Sequence, residues 1–258
     1  MSIDKGAFEK QWIETTTGLK IYTLVTSNPP HHSTPTLVLV HGLSVSSRYM
    51  MPTAVRLAPW YRVYILDFPG FGKSPKPSHV LSIPESADAL AAWMQAVRLP
   101  SATLLGNSLG CQIIVQLALK DPECVERAIL ASPTMDPKAR TIHQLAGRLL
   151  IDLSYEPPSF LPVLGREFLA AGFTYTIRGL QYALDDPIEE HLPHVHVPTL
   201  VVRGSRDPIV PQEWAERVTH LLPDSQLAVI EGAAHAVNFN APEYLVPLVQ
   251  SFIQSTSQ

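Results

Sequence analysis

The chain has 258 residues, of which 46% are hydrophobic and only 16% charged, with nineteen basic against twenty-three acidic side chains and a net charge of −4. That length suits one large α/β domain, or one domain carrying an insertion, and lets about three quarters of the unfolded chain's surface be buried without a disulfide or metal staple. The composition excludes a solvated disordered chain and a nucleic-acid binder built on a basic face.

The segment Met1 to Lys10 mixes Asp4, Lys5, Glu9 and Lys10 with isolated apolar residues and lacks the uninterrupted apolar run of a secretory leader. No later segment reaches the roughly 18 consecutive apolar residues of a membrane span. Two cysteines, Cys111 and Cys124, are too few for a disulfide scaffold. A soluble, cytoplasmic protein with no membrane partner is expected.

Short apolar runs bounded by turn residues predict strands at Leu19 to Thr26, Thr36 to Val40, Tyr61 to Leu66, Ser101 to Leu105, Arg127 to Ala131, Pro198 to Val202 and Leu227 to Ile230. Most are apolar throughout, as in a parallel sheet covered on both faces. Helical patterns fall between them at Ser82 to Arg98, where Ser82 and Glu85 have capping-box spacing, and at Leu109 to Lys120, Pro211 to Leu222 and Glu243 to Gln254. Strand and helix alternate, so the class is α/β with a mainly parallel, doubly wound sheet. From Pro133 to His194 the alternation stops. Helix-like pieces at Lys138 to Leu153, Leu161 to Ala171 and Tyr175 to Leu184 predict a helical insertion, residues 133–194, into a core formed by residues 1–132 and 195–258.

Gly106, Asn107, Ser108, Leu109 and Gly110 follow one predicted strand and open a helix. A serine at such a turn takes a strained conformation, and glycines two residues to either side let the neighbouring backbone pass. A serine hydroxyl is a weak nucleophile at neutral pH and needs a base that is itself oriented by an acid. Asp207 follows the strand Pro198 to Val202, and His235 follows the strand Leu227 to Ile230. Parallel strands bring such loops to one edge of the sheet.

These residues, with His41-Gly42 after one strand and Asp67 to Ser74 after the next, resemble the α/β-hydrolase superfamily, whose chain order of nucleophile, acid and base is that of Ser108, Asp207 and His235. The resemblance implies an oxyanion hole from the backbone amides of Leu43 and Leu109, a helical lid formed by the insertion, and no cofactor. His41, Asp67 and Ser74 are expected to stabilise their loops. A serine nucleophile argues against the dehalogenase and epoxide hydrolase relatives, which use aspartate. Asp136, after the strand Arg127 to Ala131, is the rival acid, since some relatives carry theirs there; the fuller loop match favours Asp207.

The insertion carries Tyr155, Phe160, Phe168, Phe173, Tyr175 and Tyr182, and those facing inward would line an apolar pocket. The expectation is a serine esterase acting on a small or medium hydrophobic acyl or aryl ester, with Phe173 and Tyr175 as candidate pocket residues. Asn107 beside the nucleophile resembles the meta-cleavage carbon–carbon hydrolases, in which Arg178 would hold a substrate carboxylate; Ala236, where that group commonly has tryptophan, departs from it. A lactonase or perhydrolase would use the same triad, and a ligand receptor retaining the triad is the non-enzymatic alternative. His191, His194 and His196 lie close in sequence, but Pro193 interrupts them and no partner cysteine appears, so no metal site is expected.

Overall fold

A computed structural model describes residues 6–29 and 34–256. Of the N-terminal segment Met1 to Lys10, Met1 to Lys5 lie outside the described residues. Eight strands, β1 (Phe8–Glu14), β2 (Lys20–Thr26), β3 (Thr36–Val40), β4 (Arg62–Leu66), β5 (Ala102–Asn107), β6 (Val125–Ala131), β7 (Thr199–Gly204) and β8 (Ser225–Ile230), form one sheet in the order β1-β2-β4-β3-β5-β6-β7-β8. The β1–β2 and β2–β4 pairs are antiparallel and the rest parallel.

The predicted strands are present to within two residues at each end. Their two-faced apolar character has the expected cause: Leu37 and Leu39 of β3 pack into one core layer, Val38 and Val40 into the other. Helices α1 (Ser47–Leu57) and α10 (Pro242–Ser255) cover the first layer, whereas α2 (Ile83–Ala96), α3 (Leu109–Lys120) and α8 (Gln212–Leu221) cover the second. At α2 the capping box is formed, with Glu85 Oε2 accepting from the Ser82 amide at 2.8 Å and the Ser82 hydroxyl accepting from the Glu85 amide at 3.4 Å.

Two of the longer elements were not anticipated, nor were the one-turn helices Ile188–His191 and Val237–Asn240. Strand β1 is a half-exposed edge whose residues pair one for one with β2, from Phe8 opposite Thr26 to Glu14 opposite Lys20. Helix α1 starts at the Ser46 N-cap and accommodates Pro52 inside it, so its sequence reads as broken although the helix continues.

Between β6 and β7 the chain forms α4 (Ile142–Tyr155), α5 (Leu161–Ala171), α6 (Phe173–Asp185) and the short α7 (Ile188–His191), in place of a strand. Another one-turn helix, α9 (Val237–Asn240), follows β8. Among the described residues no helix is long and apolar enough to cross a membrane.

The sheet order reverses around β3, which lies between β4 and β5. Ligand crevices form at such a switch point, beyond the carboxyl ends of the strands. Here the backbones are close. A Cβ on Gly110 would stand 2.4 Å from the Val40 carbonyl oxygen and 3.0 Å from that of His41, both main-chain atoms of a buried strand end. Gly110→Ala is therefore expected to destabilise the protein by about 3 kcal/mol, in the upper part of the overpacking range, and to lower Tm by roughly 6–12 °C. Thermal unfolding of the variant checks this, and an unchanged Tm would contradict the packing described.

Candidate active site

Ser108 joins β5 to α3 with φ 56° and ψ −123°. A non-glycine residue in that region is strained, and the conformation is held by hydrogen bonds on either side: the Ser108 amide donates to Ala131 O at 3.0 Å, and Ser108 O accepts from the Cys111 amide at 2.9 Å. The turn lifts the hydroxyl off the strand end. Cys111, fully buried one turn on, has its thiol pushed well up by burial, which suits a packing role.

The loops after β7 and β8 bring the acid and the imidazole together. Asp207 Oδ2 lies 2.9 Å from His235 Nδ1, while Asp207 Oδ1 accepts from the amides of Ile209 and Val210 at 2.8 and 2.9 Å. With Nδ1 committed, Nε2 is the nitrogen left for chemistry. Burial alone pushes the His235 imidazole down, but the Asp207 carboxylate, with Asp152 and Glu156 further out, outweighs it and brings it up to about 9. Burial works against the charged form of Asp207 too. The facing imidazole and the loop amides prevail and hold it below the usual carboxylate range.

Ser108 and His235 line one cavity of about 480 Å³, together with Gly42, Leu43 and Leu109. Ser108 Oγ makes no hydrogen bond to His235; such pairs commonly tighten only around substrate. Leu109 opens α3, so its amide is among those with no partner inside the helix, and it sits at the positive end of the helix dipole. The cavity wall is mostly aliphatic and aromatic, including Met135, Leu145, Leu149, Phe160, Leu164 and Leu180.

Several sequence expectations change. Phe173 is 69% exposed, and neither it, Tyr175 nor Arg178 lines the cavity. The helix α6 turns Thr176, Leu180 and Ala183 toward the cavity instead, at helical spacing. Tyr175 packs behind the wall, its hydroxyl donating to Pro69 O at 3.1 Å. The Arg178 guanidinium lies over the Tyr182 ring and bonds Gln181, so it supplies no anchor for a substrate carboxylate. Asn107 lines the cavity, but its amide is taken up by the protein: Oδ1 accepts from the Tyr49 hydroxyl at 2.8 Å, and Nδ2 donates to Ala131 O and His235 O at 3.2 and 3.3 Å.

Asp136 does not reach the imidazole. Its carboxylate binds Arg148 at 2.9 Å and caps the Lys138 amide at 3.0 Å. His41 braces the turn after β3, with Nδ1 2.7 Å from Gly42 O and Nε2 accepting from the Phe68 amide at 3.0 Å; burial lowers its affinity for a proton. Asp67 accepts from the amides of Ser47 and Lys73, and the Ser74 hydroxyl donates to Asp67 O. His191 faces Asp186 at 3.4 Å, and no three potential metal ligands converge among the described residues.

Sequence reasoning missed Tyr49, Asp152 and Glu156. Asp152 lines the cavity and accepts from the His235 amide at 3.0 Å, and Glu156 Oε1 accepts from the Ala236 amide at 2.8 Å. A usable signal was present, since Asp152 interrupts the apolar run Leu149 to Leu153 and would be costly to bury without a partner.

A strained serine after one parallel strand, with an aspartate–histidine pair after two others and all three loops at one sheet edge, is the arrangement of a hydrolase of the doubly wound α/β class. The chain belongs to the alpha/beta hydrolase family, whose sequence model matches residues 37–248. It is 28% identical over 242 residues to a putative carbamate hydrolase, RutD, of Yersinia enterocolitica, covering 84% of this chain and 87% of that protein. It is 29% identical over 253 residues to a pimeloyl-[acyl-carrier protein] methyl ester esterase of Aeromonas salmonicida, covering 85% and 95%. Among solved structures, a bacterial membrane phospholipase A superposes with a TM-score of 0.82 at 23% identity, covering 98% of this chain and 88% of that one.

Proposed function

We propose that this protein is a serine hydrolase that cleaves a small or medium hydrophobic carboxylic ester through an acyl-enzyme. The observation that carries this is the 2.9 Å contact between Asp207 and His235 at the wall of the cavity that also contains the strained Ser108. Relatives named for ester and carbamate hydrolysis support attack at an acyl carbon.

In the first half-reaction His235 Nε2 takes the Ser108 proton as Oγ attacks the carbonyl carbon. Asp207 holds the ring and stabilises its charged form. The oxygen of the tetrahedral intermediate is received by the amides of Leu43 and Leu109, each such donor contributing about 10²–10³ in rate. The carbon–oxygen bond to the alcohol breaks, and the alcohol leaves with the proton from His235. Water, deprotonated by the same imidazole, then attacks the acyl-enzyme and releases the acid and the free serine. The insertion, residues 133–194, acts as the lid, because α4, α5 and α6 supply most of the cavity's apolar wall.

The test is a panel of p-nitrophenyl esters, lactones and vinylogous diketones. Each methylene buried in an apolar wall contributes about 0.8 kcal/mol, or roughly fourfold. From acetate to butyrate, kcat/KM is therefore expected to rise about tenfold or more, with steady multiple turnover. A diketone cleaved faster than every ester would replace ester cleavage by carbon–carbon cleavage, and binding with a single slow turnover would favour a receptor.

A further inference from the structure

We propose that Asp152, in the last turn of α4, and Glu156, the residue that ends that helix, are positioning residues for His235, clamping the backbone of its loop and stabilising the imidazolium formed during each proton transfer. This rests on the reading of His235 as the catalytic base.

The geometry is that of a clamp. His235 is held at three points: its amide by Asp152 Oδ1 at 3.0 Å, its carbonyl by Asn107 Nδ2 at 3.3 Å, and its ring by Asp207. The next amide, that of Ala236, is held by Glu156 Oε1 at 2.8 Å, and Glu156 Oε2 accepts from Asn240 Nδ2 at 2.8 Å, tying α9 to the same carboxylate. Asp152 lies in the last turn of α4, and the chain leaves the helix at Glu156 in an extended conformation, so the two carboxylates reach successive amides of the His235 loop. Each is buried, with only 4% of Asp152 and 6% of Glu156 exposed.

A backbone amide needs only an acceptor, which a neutral asparagine or glutamine would supply with a far smaller desolvation penalty. Burial pushes Asp152 up and carries Glu156 to about 7, so burying these carboxylates works against their charged forms. The charge has a use beside it. When His235 accepts the serine proton it becomes a cation in a buried site, where fixed anions nearby act with little reorganisation. The ionisable groups acting on His235 are Asp207 from the loop after β7, Asp152 from the last turn of α4 and Glu156 just beyond it, and the Tyr49 phenol from α1 lines the same cavity. The nearby cations are engaged elsewhere: Arg148 pairs with Asp136, and Arg203 bonds the carbonyls of Val210 and Asp207.

The sign for pH follows. An anion near the imidazole favours its protonated form, so removing the anion makes His235 easier to deprotonate. The free base, which carries the reaction, then persists to lower pH. In Asp152→Asn and Glu156→Gln the amide oxygen still accepts from the loop N–H but the charge is gone. The acidic limb of kcat/KM is expected to move down by roughly half to one pH unit in each, while plateau kcat falls about tenfold and KM for a short ester stays within about twofold. Asp152→Ala also leaves the His235 amide without its acceptor, and its plateau kcat is expected to fall well below that of Asp152→Asn.

The experiment is a pH–rate profile of these three variants and the wild type on a p-nitrophenyl butyrate substrate, with circular dichroism to check folding and Ser108→Ala as control. An acidic limb that stays in place in both amide variants overturns the proposal, as does Asp152→Ala with wild-type kcat. If Asp152→Ala fails to fold, the two isosteric variants decide the matter alone. A Ser108→Ala protein with wild-type turnover would instead sink the serine hydrolase reading itself, which separates the two failures.

Discussion

Replacing Ser108 by alanine is expected to lower kcat by about 10⁶, because a nucleophile and its base act as a unit and the loss of either ends covalent catalysis. His235→Ala should lose nearly as much, and the double variant hardly more than either single one. The residual rate comes from substrate binding and the backbone amides, which neither change touches. The side chain at position 108 is part-exposed at the cavity wall and makes no hydrogen bond, so alanine should leave the fold intact. Removing the hydroxyl does not relieve the φ of 56°, which belongs to the turn. Steady-state kinetics on an aryl ester, with unfolding curves alongside, would show a dead enzyme of unchanged stability. Multiplying losses in the double variant would mean that Ser108 and His235 act independently.

Asp207→Asn is the second large effect. Asparagine fits the space, and its oxygen could still accept from the Ile209 and Val210 amides. Its nitrogen would then face His235 Nδ1, and the imidazole would shift its proton to Nε2 to avoid opposed donors. That tautomer cannot accept the serine proton, so kcat is expected to fall by about 10⁴. Asp136→Asn makes the control. Its carboxylate serves Arg148 and the Lys138 amide, so turnover should stay within about threefold while some stability is lost. Kinetics of the two variants side by side check this, and the reverse pattern would transfer the acid role to Asp136.

The turn at Ser108 was legible because its features are local: strand, strained serine and flanking glycines lie within one short stretch of sequence. Asp207 and His235 were legible because each follows an apolar strand, and parallel strands deliver such loops to the same edge. Asp152 and Glu156 were not, since their bonds to His235 and Ala236 span 83 and 80 residues and depend on how α4 lies across the sheet. The same dependence misled the reading of α6. Its aromatic and basic residues stood out, but the face turned to the cavity is the stripe through Thr176, Leu180 and Ala183. Edge strand β1 was missed for a different reason: the exposed Glu9 and Lys10 and the part-exposed Gln11 give it no apolar run, and pairing with β2 decides its conformation.

Covalent chemistry at Ser108 is most directly tested by treating the protein with a fluorophosphonate and locating the adduct by peptide mass spectrometry, in wild type and in His235→Ala. One phosphonyl group on Ser108, formed rapidly in wild type and at least a hundredfold more slowly without the imidazole, is the expected result. An adduct on another residue, or none on a protein that still hydrolyses esters, would contradict it.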